Sequence, residues 1–366
     1  MKPPVSEAIL SITPYKPGKP LEELAREYGV TDAVKLASNE NPLGPSPKAV
    51  EAVRKALDHL HRYPDGACHD LVAKLAEKLG VDRQEIVVGN GSDDIIAMLT
   101  RAFLQPGDEA VIADPTFLMY EIGIRTSGAR VVKVPVENLG IRIDSMLEAV
   151  GNRCRILFLC NPNNPTGAVV SDAEFRRLLD GLSPDVLLVV DEAYMEFVRD
   201  PQCAKSLEIR RITDRAIVTL RTFSKAYGLA GLRVGYGVMP AWVADVLHRV
   251  RQPFNVNALA QVAAAAALDD TEFLQKSIHC VHEGIDRMQA DIRAMGLACH
   301  PTQSNFFLID VGRSADDVFE AMLRQGVIVR SMRAYGYPTH IRVNAGTPAE
   351  NERFLSALRR VIQEGP

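Results

Sequence analysis

The chain has 366 residues, 47% hydrophobic and 24% charged, with a formal net charge of −4. That is room for one large domain and a smaller one of ordinary globular composition, and it offers no basic footprint for nucleic acid. No apolar run approaches the roughly 20 residues of a membrane helix, since Ala258 to Leu268 is too short and too rich in alanine. Met1 to Leu10 lacks the basic segment and apolar core of a secretion signal. The cysteines at 68, 154, 160, 203, 280 and 299 form no C-x-x-C pair, which favours a reducing cytoplasm. His59, His61 and His69 have no acidic or cysteine partner to complete a ligand set, so no metal site is expected.

An N-terminal arm carries Pro14, Pro17 and Pro20. Beyond it, short β-branched runs alternate with longer helical patterns. Glu85 to Gly89 predicts a strand, and Ile95 to Leu104 a helix with Ile95, Ile96, Leu99, Phe103 and Leu104 on one face. Ala110 to Ala113 and Arg130 to Val134 predict further strands. Arg155 to Cys160 and Val186 to Val190 are continuous apolar runs, as strands covered on both faces are. A helical stretch lies between them at Ser171 to Asp180, and Ile217 to Leu220 predicts the next strand. This alternation argues an α/β fold with a mostly parallel central sheet flanked by helices. Helical patterns then run from Pro240 to Leu268 and from Thr271 to Met295. Short strands follow at Asn305 to Ile309, Val327 to Arg330 and His340 to Val343, and a last helix at Pro348 to Gln363. The expected division is a large α/β domain over 39–250. Residues 1–38 and 251–366 form an arm and a small α+β domain.

Functional groups of open α/β sheets gather beyond the carboxyl ends of strands, and four segments place polar residues there. Gly89-Asn90-Gly91-Ser92-Asp93 joins a strand to a helix, and its backbone N–H groups suit a phosphate. Ser92 or Asp93 could equally cap that helix; given its charge, Asp93 would serve through its backbone N–H. Asn161-Pro162-Asn163-Asn164-Pro165-Thr166-Gly167 is a rigid turn in which Asn164 can donate its amide to a phenolate-like oxygen. Asp191 ends a buried run and needs a partner. A protonated pyridine nitrogen is one, and it would turn the ring into an electron sink; Tyr194 can hydrogen-bond the ring oxygen. The last segment runs from Arg221 to Arg233 and holds Lys225. A lysine whose amine is part of the time neutral can form an imine with an aldehyde cofactor. Thr222, Ser224 and Arg233 can hold that cofactor's phosphate.

Asn164, Asp191, Lys225 and Arg233, each after a strand-like run, resemble the pattern of the fold-type I pyridoxal-phosphate enzymes, the aspartate aminotransferase superfamily. The resemblance covers nearly the whole chain. It implies pyridoxal 5′-phosphate on Lys225, with Asp191 at the ring nitrogen and Asn164 and Tyr194 at the ring oxygen. It also puts Phe117, in Asp114-Pro115-Thr116-Phe117, on the ring face, where many relatives have tyrosine. A narrower resemblance is to the histidinol-phosphate aminotransferases. It is carried by Pro14 to Pro20, Ser38 to Pro47 (with Asn41), Tyr63-Pro64, Gly326 to Arg330 and Ile341 to Arg353. It implies a homodimer with shared sites, in which Tyr63 reaches the neighbouring subunit's cofactor phosphate. Arg342 would bind a carboxylate and Arg330 the phosphate of histidinol phosphate, with Arg333 the alternative, and Tyr15 would close over the substrate. Asn41 would belong to the substrate pocket. The reaction implied is amino transfer from histidinol phosphate to 2-oxoglutarate. The alternatives are an aromatic or broad-range aminotransferase and a threonine-phosphate decarboxylase-like enzyme. A transcriptional regulator is disfavoured, because the segment before Asn39 is too short and too rich in proline for a DNA-binding module.

Overall fold

The computed structural model describes residues 4–14, 18–19, 21–30 and 32–364. A short strand, β1 (Val34–Lys35), leads from the arm into the body of the molecule. The main sheet has seven strands: β2 (Ile86–Gly89), β3 (Glu109–Asp114), β4 (Arg130–Pro135), β5 (Cys154–Cys160), β6 (Leu187–Asp191), β7 (Ile217–Thr222) and β8 (Gly235–Val238). Their order is β2-β8-β7-β6-β5-β3-β4. The β3–β4, β3–β5, β5–β6 and β6–β7 pairs are parallel; β8 runs antiparallel to both its neighbours. The expected α/β fold with a mostly parallel sheet is therefore the observed one.

Alternation along each strand builds two cores. In β5, Ile156, Phe158 and Cys160 pack toward the helices Ser92–Phe103 and Ala241–Val250. Leu157 and Leu159 pack on the opposite face toward the helices Ile143–Glu148 and Asp172–Gly181. A third core joins β2 and β8 to the helices Pro47–Ala56, His69–Leu79 and Ala258–Ala267.

A four-stranded antiparallel sheet has the order β12-β13-β10-β9. Its strands are β9 (Ala298–Cys299), β10 (Phe306–Asp310), β12 (Arg330–Ser331) and β13 (His340–Asn344). It packs on the helices Thr271–Ala294, Ala315–Arg324 and Pro348–Glu364. The last strand, β11 (Val327–Ile328), pairs in parallel with β1.

Two expectations need correction. The helical pattern from Pro240 to Leu268 is two helices, not one. Residues 251–257 interrupt it, with Pro253 in the break, Phe254 at φ 55° and Asn257 capping the second helix through Ala260 N–H. Val327 to Arg330 is not a single strand either: it is divided between β11 and β12, which belong to different sheets. No helix among the described residues is long and apolar enough to cross a membrane.

Candidate active site

The carboxyl ends of β3, β5, β6 and β7 and the loop after β2 converge on a cavity of about 280 Å³, whose lining includes Ser92, Phe117, Asn164, Asp191, Tyr194, Lys225 and Arg342. One end suits an anion. The helix Ser92–Phe103 starts at Gly91, with φ 85°, and no side chain caps it; neither Ser92 nor Asp93 does so. A Cβ on Gly91 would lie 2.6 Å from Arg233 Nη2, so glycine lets the guanidinium lie against the helix start. Arg233 itself takes φ 58°. Its Nη1 donates to Ser224 Oγ at 3.4 Å and its Nη2 faces Asp93 Oδ2 at 3.4 Å. Thr222 Oγ1 accepts from Ser224 N–H and tightens the turn after β7. Uncapped helix N–H groups, two hydroxyls and a guanidinium are the kinds of donor that can hold a phosphate.

Lys225 stands in the middle, with Nζ donating to Ser38 O at 3.2 Å and lying 5.8 Å from the Tyr194 ring centroid. Burial, then the positive charge of Arg342, pulls its pKa down to about 8, despite the opposing pull of Glu40 and Asp93. A useful fraction of neutral amine is thus present near neutrality.

Asp191 closes the far end and is 3% exposed. Its two oxygens accept from neutral donors, Tyr120 O–H at 2.7 Å and Ala193 N–H at 3.1 Å. Burial pushes its carboxyl up to about 6, against the pull of those two bonds. Such a carboxylate calls for a cationic ligand.

Asn164 and Tyr194 are aimed by neighbours. Asn164 Oδ1 accepts from Arg342 Nη1 at 2.6 Å, which leaves its amide N–H groups to donate into the cavity. Tyr194 Oη accepts from Asn39 Nδ2 at 3.0 Å, so its own proton can be donated as well. The other asparagines of that turn are structural. Asn161 accepts from Val170 N–H, and Asn163 bridges Thr116 and Pro115 O.

Arg330 and Arg342 are Cα partners across β12 and β13. Like charges directly opposite on a sheet are unfavourable, and an anion between them removes the penalty. Arg330 lines both the cavity and an adjoining cleft of about 670 Å³. Arg333 instead pairs with Asp316.

Most of the sequence-derived residues thus meet in one place, but Asn41 and Tyr63 do not line it. Asn41 is absent from the cavity wall: its amide donates to Ala226 O and Ser277 Oγ, and its oxygen accepts from Leu43 N–H. Tyr63 is 82% exposed, stacked on Phe254 with ring centroids 4.7 Å apart, and does not line the cavity of its own chain. Tyr15 lies outside the described residues.

The sequence profile of the class I and II aminotransferases matches residues 31–358. A histidinol-phosphate aminotransferase of Moorella thermoacetica is 48% identical over 98% of this chain and 93% of its own length. The chain belongs to the histidinol-phosphate aminotransferase family. A second relative of that description, from Desulfotalea psychrophila, is 44% identical over 100% of this chain and 97% of its own. The Sinorhizobium meliloti histidinol-phosphate aminotransferase, crystallised in complex with pyridoxal-5′-phosphate, superposes with a TM-score of 0.90 at 27% identity, covering 99% of this chain and 98% of that one.

In this aminotransferase several side chains that sequence reasoning passed over complete the site. Tyr120 hides in the first turn of the helix Leu118–Thr126, where a tyrosine reads as core. Asn39 orients Tyr194, and Tyr335 joins Arg330 on the cavity wall. Glu192, next to Asp191, is fully buried yet paired: Arg221 donates to it through Nε at 2.8 Å and Nη2 at 2.7 Å, and Ser206 N–H at 2.8 Å. Burial works against the Arg221 charge, but Glu192 and Glu196 outweigh it and hold the guanidinium protonated.

Proposed function

We propose that this aminotransferase uses pyridoxal 5′-phosphate to move the amino group of histidinol phosphate to 2-oxoglutarate, giving imidazole acetol phosphate and glutamate. The residues fit the coenzyme in kind and in order along the cavity. Arg233, Ser92, Thr222, Ser224 and the helix start would hold its phosphate, Phe117 its ring face, Asn164 and Tyr194 its ring oxygen, and Asp191 its ring nitrogen. The buried acid with only neutral donors is the feature that asks for such a group.

When bound, the coenzyme supplies an aldehyde that captures amino groups and a protonated ring that takes up the electron pair left on the substrate carbon. The protein does the rest. Lys225, part of the time neutral, would anchor the coenzyme, and its free amine would take up the proton from the amine-bearing substrate carbon as a base and give it back as an acid. Asp191 keeps the ring nitrogen protonated. Arg342, 7% exposed, orients a carboxylate, and Arg330 a phosphate or second carboxylate.

The observation that carries this reading is the facing pair Arg330 and Arg342 beside Lys225. Histidinol phosphate brings a phosphate and no α-carboxylate, and glutamate brings two carboxylates; two permanently charged, fork-shaped groups serve both in turn. A substrate panel with 2-oxoglutarate as acceptor tests it. Histidinol phosphate should outrun phenylalanine in kcat/KM; preference for phenylalanine, or release of carbon dioxide from an O-phosphothreonine substrate, overturns it.

The reading includes a homodimer in the cytoplasm. Tyr63 and Phe254 are both exposed and stacked on each other, and this apolar pair is suited to reach a second copy's phosphate cradle. Mixing inactive Tyr63 and Lys225 variants should restore activity through hybrid dimers, and failure to do so counts against the shared site. All six cysteines are unpaired, in keeping with a reducing compartment.

A further inference from the structure

We propose that Tyr120 is a positioning residue for the reaction: its hydroxyl fixes the Asp191 carboxylate against the ring nitrogen, and its ring braces Phe117 against the ring face. The inference rests on the coenzyme reading above and concerns a residue to which that reading assigns nothing.

The geometry is specific. Tyr120 is fully buried, and its O–H donates to Asp191 Oδ2 at 2.7 Å. Its ring lies parallel to Phe158, with centroids 4.8 Å apart and planes 9° apart, and meets Phe117 edge-on at 5.6 Å. Phe158 sits within β5 and Phe117 immediately precedes the helix that holds Tyr120. One side chain therefore touches both groups that would grip the ring, at its edge and at its face. Phe158 holds the tyrosine ring still, so its hydroxyl cannot swing away from the acid.

The chemistry requires that bond to be neutral. Asp191 must remain an anion in a buried place to pair with a ring N–H⁺. A lysine or arginine at the position of Tyr120 would satisfy the carboxylate permanently and compete with the ring. A neutral donor stabilises the anion and leaves its charge for the ligand. Among the described residues no other side chain donates to Asp191. Ala193 N–H holds the other oxygen, while Asp93 and Glu192 are like-charged neighbours. Cys160, its partner across the β5–β6 ladder, and Tyr194 are both held neutral by burial. Burial already pushes Asp191 up to about 6; without the Tyr120 bond it rises further. The carboxylate is needed for the ring-nitrogen bond, so coenzyme affinity falls as pH drops through the Asp191 pKa. In Tyr120→Phe that fall starts at a higher pH.

The test uses the full-length protein, freed of coenzyme, as parent, Tyr120→Phe and Tyr120→Leu. Each is titrated with pyridoxal 5′-phosphate and with the analogue that has carbon in place of the ring nitrogen, and thermal unfolding of each is recorded. The parent should bind the natural coenzyme more tightly than the carbon analogue. In Tyr120→Phe that advantage should shrink about tenfold, the worth of one charge-assisted hydrogen bond, while affinity for the carbon analogue stays within about twofold. Tyr120→Leu should also weaken the analogue, because the brace on Phe117 is gone. An undiminished advantage in Tyr120→Phe overturns the hydroxyl role, and unchanged analogue affinity in Tyr120→Leu overturns the brace. A parent with no preference for the ring nitrogen overturns the assignment of Asp191 itself, a different failure from either. A purely structural tyrosine would lower the unfolding temperature and leave the ratio of the two affinities untouched.

Discussion

Asp191 and Glu192 are neighbours in sequence, both carboxylic acids, both buried at the end of β6, and they have opposite settings. Glu192 points to the side where Arg221 offers two donors and Ser206 a third, and its charge is balanced within the protein. Asp191 points to the cavity and receives only an O–H and an N–H, neither carrying charge. Alternation along a strand sends adjacent side chains to opposite faces, and here it separates an acid neutralised by Arg221 from one that faces the cavity. Burial alone does not distinguish the two. What does is whether the protein itself supplies the counter-charge.

Substitutions can break that comparison or sharpen it. The largest effect belongs to Lys225→Ala, which should abolish turnover together with the visible absorbance of lysine-bound coenzyme; residual transamination measured in a coupled assay would defeat its role. Asp191→Ala should cost orders of magnitude in kcat while calorimetry shows little loss of stability, because no ion partner is stranded. Arg221→Leu should do the reverse. It leaves Glu192 buried without its counter-charge, at a cost of about 3–5 kcal/mol in denaturant unfolding, while the folded fraction keeps the parent's coenzyme spectrum. Equal stability losses in the two would erase the distinction drawn above. Arg330→Ala should reduce kcat/KM for histidinol phosphate by about tenfold to a hundredfold, the value of a charge-assisted contact, and hurt an aromatic substrate much less. The smallest effect is in pH dependence. Capture of coenzyme by the empty protein should speed up as pH rises and level off above about 8, where Lys225 is neutral; an ordinary lysine would level off beyond 10. Stopped-flow absorbance across that range distinguishes them.

The parallel strands were legible because burial on both faces leaves uninterrupted apolar runs, as in Arg155 to Cys160 and Val186 to Val190. β8 was not, since Gly235-Tyr236-Gly237-Val238 has half its positions without side chains. Its glycines answer to crowding: a Cβ on Gly235 would come within 2.6 Å of Ser92 N. The groups expected to touch coenzyme were legible because each follows a strand end in the chain. Tyr120 was not, because its contacts with Phe158 of β5 and Asp191 of β6 join segments far apart in the chain, a tertiary fact with no local spacing. Asn41 shows the opposite limit: an asparagine in a distinctive motif can be spent on tying its loop to Ala226 and Ser277. That Arg330 lines the cavity while Arg333 pairs with Asp316 could be seen only in the fold.

The division of Val327 to Ser331 between two sheets has a consequence for anyone who re-engineers this molecule. Val327 and Ile328 are stitched to Val34 and Lys35, while Arg330 and Ser331 are stitched to Arg342 and Ile341. A single residue, Val329, separates the two seams. Grafting a leading segment from a relative without also transplanting this seam would drag Arg330 out of register with Arg342, so the first strand and this wall of the cavity form one inheritable unit.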